Sequence, residues 1–311
     1  MLHSIIALYH FEFLRNALYS GMFIAVAAAV VGYFLIGGGY TFAGHALPNI
    51  GFAGAAGAVL FGVRPVYGLF ALTVLAAGAM SVGGRELRER DISIGVVMSF
   101  ALGLGLMFLS LYGGYAERIY SILFGTVLGI TRSDMILTGL MSIVTVGLIL
   151  VLFRPLLFIT FDPFVAEAKG VPVRLLTLLF LLAVAVIVSL AVQVVGALLV
   201  FTLLVGPGAT ATRLAKRPAH AILLAALLGI VYMFAGVTLA GLSGDWPVSF
   251  FIASISFLVY MPVRIFFGEK GWRTTAAMEP SAGHAARNFR NNHDQCRKTE
   301  TRCLGSFSVR E

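Results

Sequence analysis

Apolar runs of roughly 20 residues recur along this chain from Leu18 to about Phe267, and they constrain the fold more than any other feature. An α-helix rises about 1.5 Å per residue, so each run is long enough to cross a hydrocarbon core about 30 Å thick. Only 12% of the 311 residues are charged, whereas a soluble domain carries about 25%. The sequence therefore predicts an all-α, polytopic, multi-pass protein of the cell (inner) membrane.

The apolar runs and the breaks between them predict about eight transmembrane helices, at 17–36, 42–62, 65–81, 92–113, 133–153, 175–203, 219–241 and 247–267. They form one transmembrane domain, residues 1–271. Residues 272–311 are polar and have too little apolar surface to offset the entropy of ordering, so we predict a disordered cytoplasmic tail. Cys296 and Cys303 lie in this tail, at spacings that match no structural zinc pattern.

The distribution of lysine and arginine predicts the orientation. With eight spans, sixteen of the 22 basic residues fall on the side of the two termini and six on the other side. Basic residues are enriched in cytoplasmic connections, so this count predicts that both termini are cytoplasmic. Because the positive charge lies at helix ends and in the tail, membrane topology accounts for most of it and no nucleic-acid partner is predicted.

Motifs for catalysis and for ATP binding are absent from the sequence. It contains no GxxxxGK[ST] phosphate loop, no HExxH and no GxSxG. All fourteen acidic residues fall in loops, at helix ends or in the tail, whereas enzymes and proton-driven carriers of the bilayer keep such groups within it. We therefore predict a non-enzyme without a cofactor, and any dependence on ATP requires a separate subunit.

One polar stripe stands out within the apolar runs. Thr41, His45 and Asn49 follow one another at intervals of four residues, which places them on one face of a helix. Imidazole is a common ligand of transition metals, whereas a hydroxyl or an amide is a weak one. The stripe is either a metal site centred on His45 or a set of hydrogen bonds to a neighbouring helix. Pro48 frees a backbone carbonyl in the turn that contains His45.

Other polar or soft side chains within the spans have simpler interpretations. Gln193 is predicted to form a hydrogen bond between helices. Ser99 is predicted to bond its own backbone, as serine readily does in a helix. Four methionines, Met22, Met80, Met98 and Met107, are either core residues or soft thioether ligands, and packing is the favoured interpretation.

Several segments together identify a family. The chain contains "FDPFVAEAKGVPV" at 161–173 and "VVGALLVFTLLVGPGATATRLAKRP" at 194–218, in which Gly206, Pro207 and Gly208 are predicted to end a long helix. With "GHALPNIG" at 44–51 and "ISIGVVMSFALGLGLMFLS" at 92–110, they resemble, over roughly 250 residues, the ABC-3 permease family. That family comprises the membrane subunits of zinc, manganese and iron ABC importers.

The resemblance implies a permease that forms a homodimer, binds a cytoplasmic ATPase subunit and receives zinc, manganese or iron from an extracytoplasmic metal-binding protein. By this resemblance His45 would line the metal path. Thr41 and Asn49 are expected beside it as weak ligands because of their position in the polar stripe and their hydroxyl and amide groups. The stretch 206–217 would resemble the segment that couples the permease to the ATPase. Its expected coupling residues are Gly206, Pro207, Arg213, Lys216 and Arg217.

The sequence departs from the family pattern beside His45. Family members commonly carry aspartate four residues before the histidine, where this chain has Thr41, and in some zinc-type members a second histidine occupies the position of Ser99. Hydroxyls bind a hard ion such as manganese poorly without a carboxylate. An importer of a metal chelate or another small solute is therefore an alternative, and a non-transport membrane protein is a third.

Overall fold

The computed structural model describes residues 12–82, 87–112, 130–161, 163–197, 199–215, 217–243 and 246–267, so the predicted tail lies outside the described residues. Within those ranges the chain is helical. The helices, numbered in chain order, are α1 (Glu12–Gly37), α2 (Thr41–Leu60), α3 (Pro65–Val82), α4 (Leu87–Tyr112), α5 (Arg132–Val151), α6 (Phe153–Phe161), α7 (Pro163–Ala168), α8 (Val173–Val195), α9 (Val200–Leu214), α10 (Pro218–Ser243) and α11 (Val248–Phe267).

The all-helical membrane fold is confirmed, and six helices are long and apolar enough to cross a bilayer: α1, α4, α5, α8, α10 and α11. The remaining helices of 15 residues or more, α2, α3 and α9, are shorter or less apolar than these six. The apolar part of α3, Pro65–Ser81, is below 18 residues, and α9 has 15 residues. Both pack against the longer helices, as α2 does, and the buried core extends through all of them.

The predicted sixth span, 175–203, is wrong because the chain divides it into two helices. Helix α8 ends at Val195, and Gly196 follows with a φ of 90°, a conformation that glycine adopts readily. Helix α9 then runs through Gly206, Pro207 and Gly208, which were predicted to end a helix. The apolar pattern continues across the break, so hydropathy alone does not reveal it.

Close contacts between backbones hold the helices together, as the many glycines predict. A Cβ atom on Gly54 of α2 would collide with the carbonyl oxygen of Gly68 of α3, and the reverse is also true. Small residues permit such approach where lipid provides no hydrophobic drive for association. Hydrogen bonds reinforce the packing, since the Thr73 and Ser189 hydroxyls lie 2.7 Å apart and connect α3 to α8.

The start of α5 lies on the same side of the bundle as the start of α1. The side-chain amide of Asn16 donates to the carbonyl oxygen of Ile130 at 3.5 Å. At the other end, Gly37 of α1 faces the side chain of Thr160 in α6. A capping box fixes the beginning of α5, because the Thr131 hydroxyl accepts from the Asp134 amide at 3.2 Å while Asp134 accepts from the Thr131 amide at 3.3 Å.

Candidate metal site and partner surface

His45 lies in the second turn of α2, and its side chain is exposed on the surface of the single chain. The imidazole meets the ring of Phe201, at the start of α9, edge to face, with 5.2 Å between centroids. Such a contact favours one orientation of the ring. The exposed imidazole is therefore suited to bind something outside this chain's own core.

Asn49 shares the face of His45, as the four-residue spacing predicts. Its Nδ2 atom donates to the backbone carbonyl oxygen of His45 at 2.9 Å and to the sulfur of Met98 on α4 at 3.7 Å. The Asn49 side chain is half-buried, and so is that of Met98. Asn49 therefore joins the backbone of the histidine turn to a second helix.

Thr41 is the first residue of α2 and is half-buried, one turn before His45. The helix continues through Pro48, which is buried, to Leu60. The stripe of Thr41, His45 and Asn49 thus lies on one continuous helix. Among the described residues, no three histidine, cysteine, aspartate or glutamate side chains form a group that could hold a metal ion.

Two of the secondary polar candidates form bonds within their own helices. Ser99 is exposed, and its hydroxyl donates to the carbonyl oxygen of Gly95 at 2.9 Å, which confirms the prediction. Gln193 donates to the carbonyl oxygen of Ser189 at 3.3 Å, so the predicted bond between helices is wrong. The interhelical bond nearby comes from Ser189 itself, whose hydroxyl pairs with Thr73.

The predicted ATPase-coupling residues lie along α9 and just after it. Gly206 is half-buried and Pro207 is buried, both inside the helix. Arg213 lies in the last turn, with its guanidinium 5.7 Å from the centroid of the Tyr260 ring of α11. Arg217 is exposed, and Lys216 lies outside the described residues. The helix is thus buried in its middle, and its accessible residues are at the basic end.

A second accessible surface is formed by α6 and α7, and the sequence did not predict a binding role for it. Three apolar side chains are exposed there, Phe161 at 53%, Phe164 at 73% and Val165 at 43%. The ammonium group of Lys169 lies 5.6 Å from the centroid of the Phe158 ring. The signal in the sequence is the amphipathic insertion 161–173 between two long apolar runs.

The match to a family model covers residues 10–266 and is to the ABC 3 transport family. A manganese transport system membrane protein, MntC of Halalkalibacterium halodurans, is 32% identical over 232 residues, which are 73% of this chain and 78% of that protein. The chelated iron transport system membrane protein YfeC of Yersinia pestis is 29% identical over 277 residues, 88% of this chain and 93% of that protein.

Similarity extends to a solved structure, that of PsaBC from Streptococcus pneumoniae in complex with Fab. The TM-score is 0.77 at 25% identity, and the match covers 88% of this chain and 99% of the matched one. The overall fold described above is therefore one already observed in a solved structure.

Proposed function

This chain belongs to the ABC 3 transport family, and we propose that it is the membrane-spanning permease subunit of an ABC importer that moves a divalent transition-metal ion into the cytoplasm. The family match over residues 10–266 carries this proposal. The sequence has no phosphate loop, so a separate ATPase subunit supplies the energy. The transported ion is manganese, iron or zinc, and the named relatives favour manganese and iron.

His45 is proposed to contact the ion in transit. Its imidazole is exposed on a helix that is otherwise largely buried, and Thr41 and Asn49 flank it by one turn on either side. A permease has to release its cargo, so a site with few strong ligands is compatible with transport. Because His45 faces away from the chain's own core, we propose that a second copy of the permease closes the path against it.

The break between α8 and α9 changes the proposed topology. The hydroxyl of Ser249 donates to the carbonyl oxygen of Val195 at 2.9 Å, so α8 ends beside the start of α11. Helix α9 ends beside Tyr260, farther along α11, so it returns towards the opposite side. If α9, α2 and α3 also cross, in addition to the six longer and more apolar helices, the described residues contain nine crossing helices. An odd number places the two termini on opposite sides.

With nine crossings, the lysine and arginine residues are divided more unequally between the two sides of the membrane than with eight. Eighteen of the 22 now fall on the side of the C-terminal tail, and four, Arg15, Arg64, Arg118 and Arg132, on the side of the N-terminus. The positive-inside rule then favours a cytoplasmic tail and an extracytoplasmic N-terminus. This proposal replaces the expectation of two cytoplasmic termini, which depended on an even number of spans.

The ATPase is proposed to dock on the cytoplasmic surface formed by the basic end of α9 and by α6 and α7. In the nine-helix topology both face the cytoplasm. Arg213, Lys216 and Arg217 would pair with acidic groups of the ATPase, while Phe161 and Phe164 provide apolar contact. Gly206 and Pro207 would transmit movement along α9, because they lie inside the helix. An extracytoplasmic binding protein would deliver the ion on the opposite face.

Uptake of metal by cells tests the proposed function. Deleting the chain is expected to reduce uptake of manganese, iron or zinc from metal-poor medium, and supplying the wild-type chain on a plasmid is expected to restore it. Unchanged uptake of all three ions would contradict the proposal. A chelate importer remains the second candidate because the family's carboxylate is replaced by Thr41, and a loss of uptake confined to the chelated metal would favour it.

A further inference from the structure

Both amide hydrogens of Asn49 have acceptors within the protein. One bonds the carbonyl oxygen of His45 and the other the sulfur of Met98. A carbonyl oxygen only accepts, so this arrangement determines which end of the carboxamide carries nitrogen. The remaining polar atom of the side chain is Oδ1, which cannot donate a hydrogen bond but is able to coordinate a metal ion.

The position of Asn49 relative to His45 suits a shared ligand. The two residues are one turn apart on the same face of α2, and the Asn49 amide is bonded to the backbone of that same turn. Phe201 orients the imidazole through a contact of 5.2 Å between ring centroids. The His45 imidazole is thus held by Phe201, and the Asn49 side chain by Met98 and the His45 backbone. Neither Phe201 nor Met98 is itself proposed as a metal ligand.

From this geometry we propose that His45 and Asn49 Oδ1 form a neutral nitrogen and oxygen pair in the transport path, with Met98 as the residue that positions Asn49. The inference deepens the proposed function and rests on it. The thioether of Met98 serves as a hydrogen-bond acceptor in this arrangement, not as a soft metal ligand.

The chemistry of the pair predicts a preference among ions. Affinity for imidazole-containing sites rises from Mn²⁺ to Fe²⁺ and is higher still for Zn²⁺, whereas carboxylates favour the hard ion Mn²⁺. The pair carries no negative charge of its own, and the usual aspartate position is Thr41. The site is therefore selective for Fe²⁺ or Zn²⁺ over Mn²⁺, and a carboxylate at position 49 makes that preference smaller.

The test uses the complete complex of permease, ATPase and binding protein in proteoliposomes. ATP hydrolysis is measured against Zn²⁺, Mn²⁺ and, without oxygen, Fe²⁺, and the half-stimulating concentrations are compared. Wild type is expected to respond to Zn²⁺ and Fe²⁺ at lower concentrations than to Mn²⁺. Asn49→Asp is expected to lower the value for Mn²⁺ relative to Zn²⁺ by roughly tenfold.

Met98 is tested by variants that separate hydrogen bonding from packing. Met98→Leu fills the space without an acceptor and is expected to raise the half-stimulating concentration of Zn²⁺ by roughly tenfold, as loss of a ligand-orienting partner does. Met98→Gln keeps an acceptor at similar reach and is expected to restore the wild-type ratio of Zn²⁺ to Mn²⁺. Met107→Leu, on an exposed part of the same helix, is the control and is expected to leave the ratio unchanged.

The outcomes separate this inference from the proposed function. Stimulation by metal with the same selectivity in wild type, Asn49→Asp and Met98→Leu would overturn the inference and leave the importer assignment intact. No stimulation of the wild-type complex by any of the three ions would overturn both. A wild-type preference for Mn²⁺ would also contradict the inference, because neutral donors do not produce it.

Discussion

At the scale of single residues, the informative observation is that an exposed imidazole lies on a helix whose other residues are mostly buried. Burial of a histidine against neighbouring helices would have supported a purely structural role, but His45 is exposed and makes an edge-to-face ring contact with Phe201. Removing the side chain leaves no cavity in the core. A substitution of His45 can therefore change transport without destabilising the fold.

His45→Ala is expected to lower metal transport at least tenfold while the amount of protein in the membrane stays within a factor of two, because the exposed side chain contributes little to stability, typically within about 0.5 kcal/mol. Uptake of metal and quantitative blotting of membranes measure the two effects. His220→Ala is the control, since His220 is also exposed but lies at the start of α10. Equal transport by the two variants would show that His45 has no role in the path.

At the scale of helices, the seam between α1 and α9 depends on close backbone contact. A Cβ atom on Gly32 of α1 would collide with the carbonyl oxygen of Leu204 of α9. The obstacle is backbone, which cannot rotate away as a flexible side chain does. Side chains on both sides are packed in one core, so separating the helices to admit a methyl group disturbs many contacts.

Gly32→Ala is expected to destabilise the protein by about 1–3 kcal/mol, the usual cost of overpacking. The midpoint of thermal unfolding in detergent measures it. Gly78→Ala is the matched control, because a Cβ atom on Gly78 of α3 meets nothing within 4 Å. An unfolding midpoint for Gly32→Ala equal to that of the control would mean that the seam is looser than described.

Arg213→Glu is expected to weaken binding of the ATPase, since it places a negative charge at the basic end of α9 that is proposed to meet acidic groups. Co-purification with the ATPase, repeated at increasing salt, measures the effect. Arg64→Glu changes the same charge in an exposed connection assigned to the opposite side and is expected to leave binding unchanged. Stoichiometric binding by Arg213→Glu would remove the basic end of α9 from the docking surface.

Sequence patterns predicted the helices well and their connection at α8 and α9 poorly. Each of the eight predicted spans corresponds to at least one helix, because a run of about 20 apolar residues in a membrane protein has no other stable conformation. The sequence did not predict the break at Gly196, because glycine is common within the spans and the residues on either side of Gly196 are apolar. Pro207 appeared to be a helix end, yet α9 continues through it.

The candidate site was only partly predictable. The interval of four residues placed Thr41, His45 and Asn49 on one face, since it needs only the helical period. The contacts of Asn49 with Met98 and of His45 with Phe201 join segments that are distant in sequence. Such pairs depend on how helices pack, which hydropathy and motif spacing do not specify.

At the scale of the whole molecule, the proposed nine crossing helices, an odd number, would place the two ends of the chain on opposite sides of the membrane. The native cysteines, Cys296 and Cys303, report on the tail, and Ser4→Cys adds a reporter near the N-terminus. A membrane-impermeant maleimide is expected to label Ser4→Cys in a background lacking the native cysteines, in spheroplasts. The native cysteines are expected to react only after the membrane is permeabilised. If neither end is labelled in sealed spheroplasts, the nine-helix topology is contradicted and the topology with an even number of spans and two cytoplasmic termini is supported.

The central claim is that this chain forms a path for a divalent metal ion that opens at the expense of ATP hydrolysis by a partner. Its most direct test is uptake of metal into proteoliposomes that contain the permease and its ATPase, with the metal-loaded binding protein outside and ATP inside. We predict ATP-dependent accumulation of Fe²⁺, Zn²⁺ or Mn²⁺ that His45→Ala greatly reduces. Active ATP hydrolysis with no accumulation of any of these ions would contradict the account.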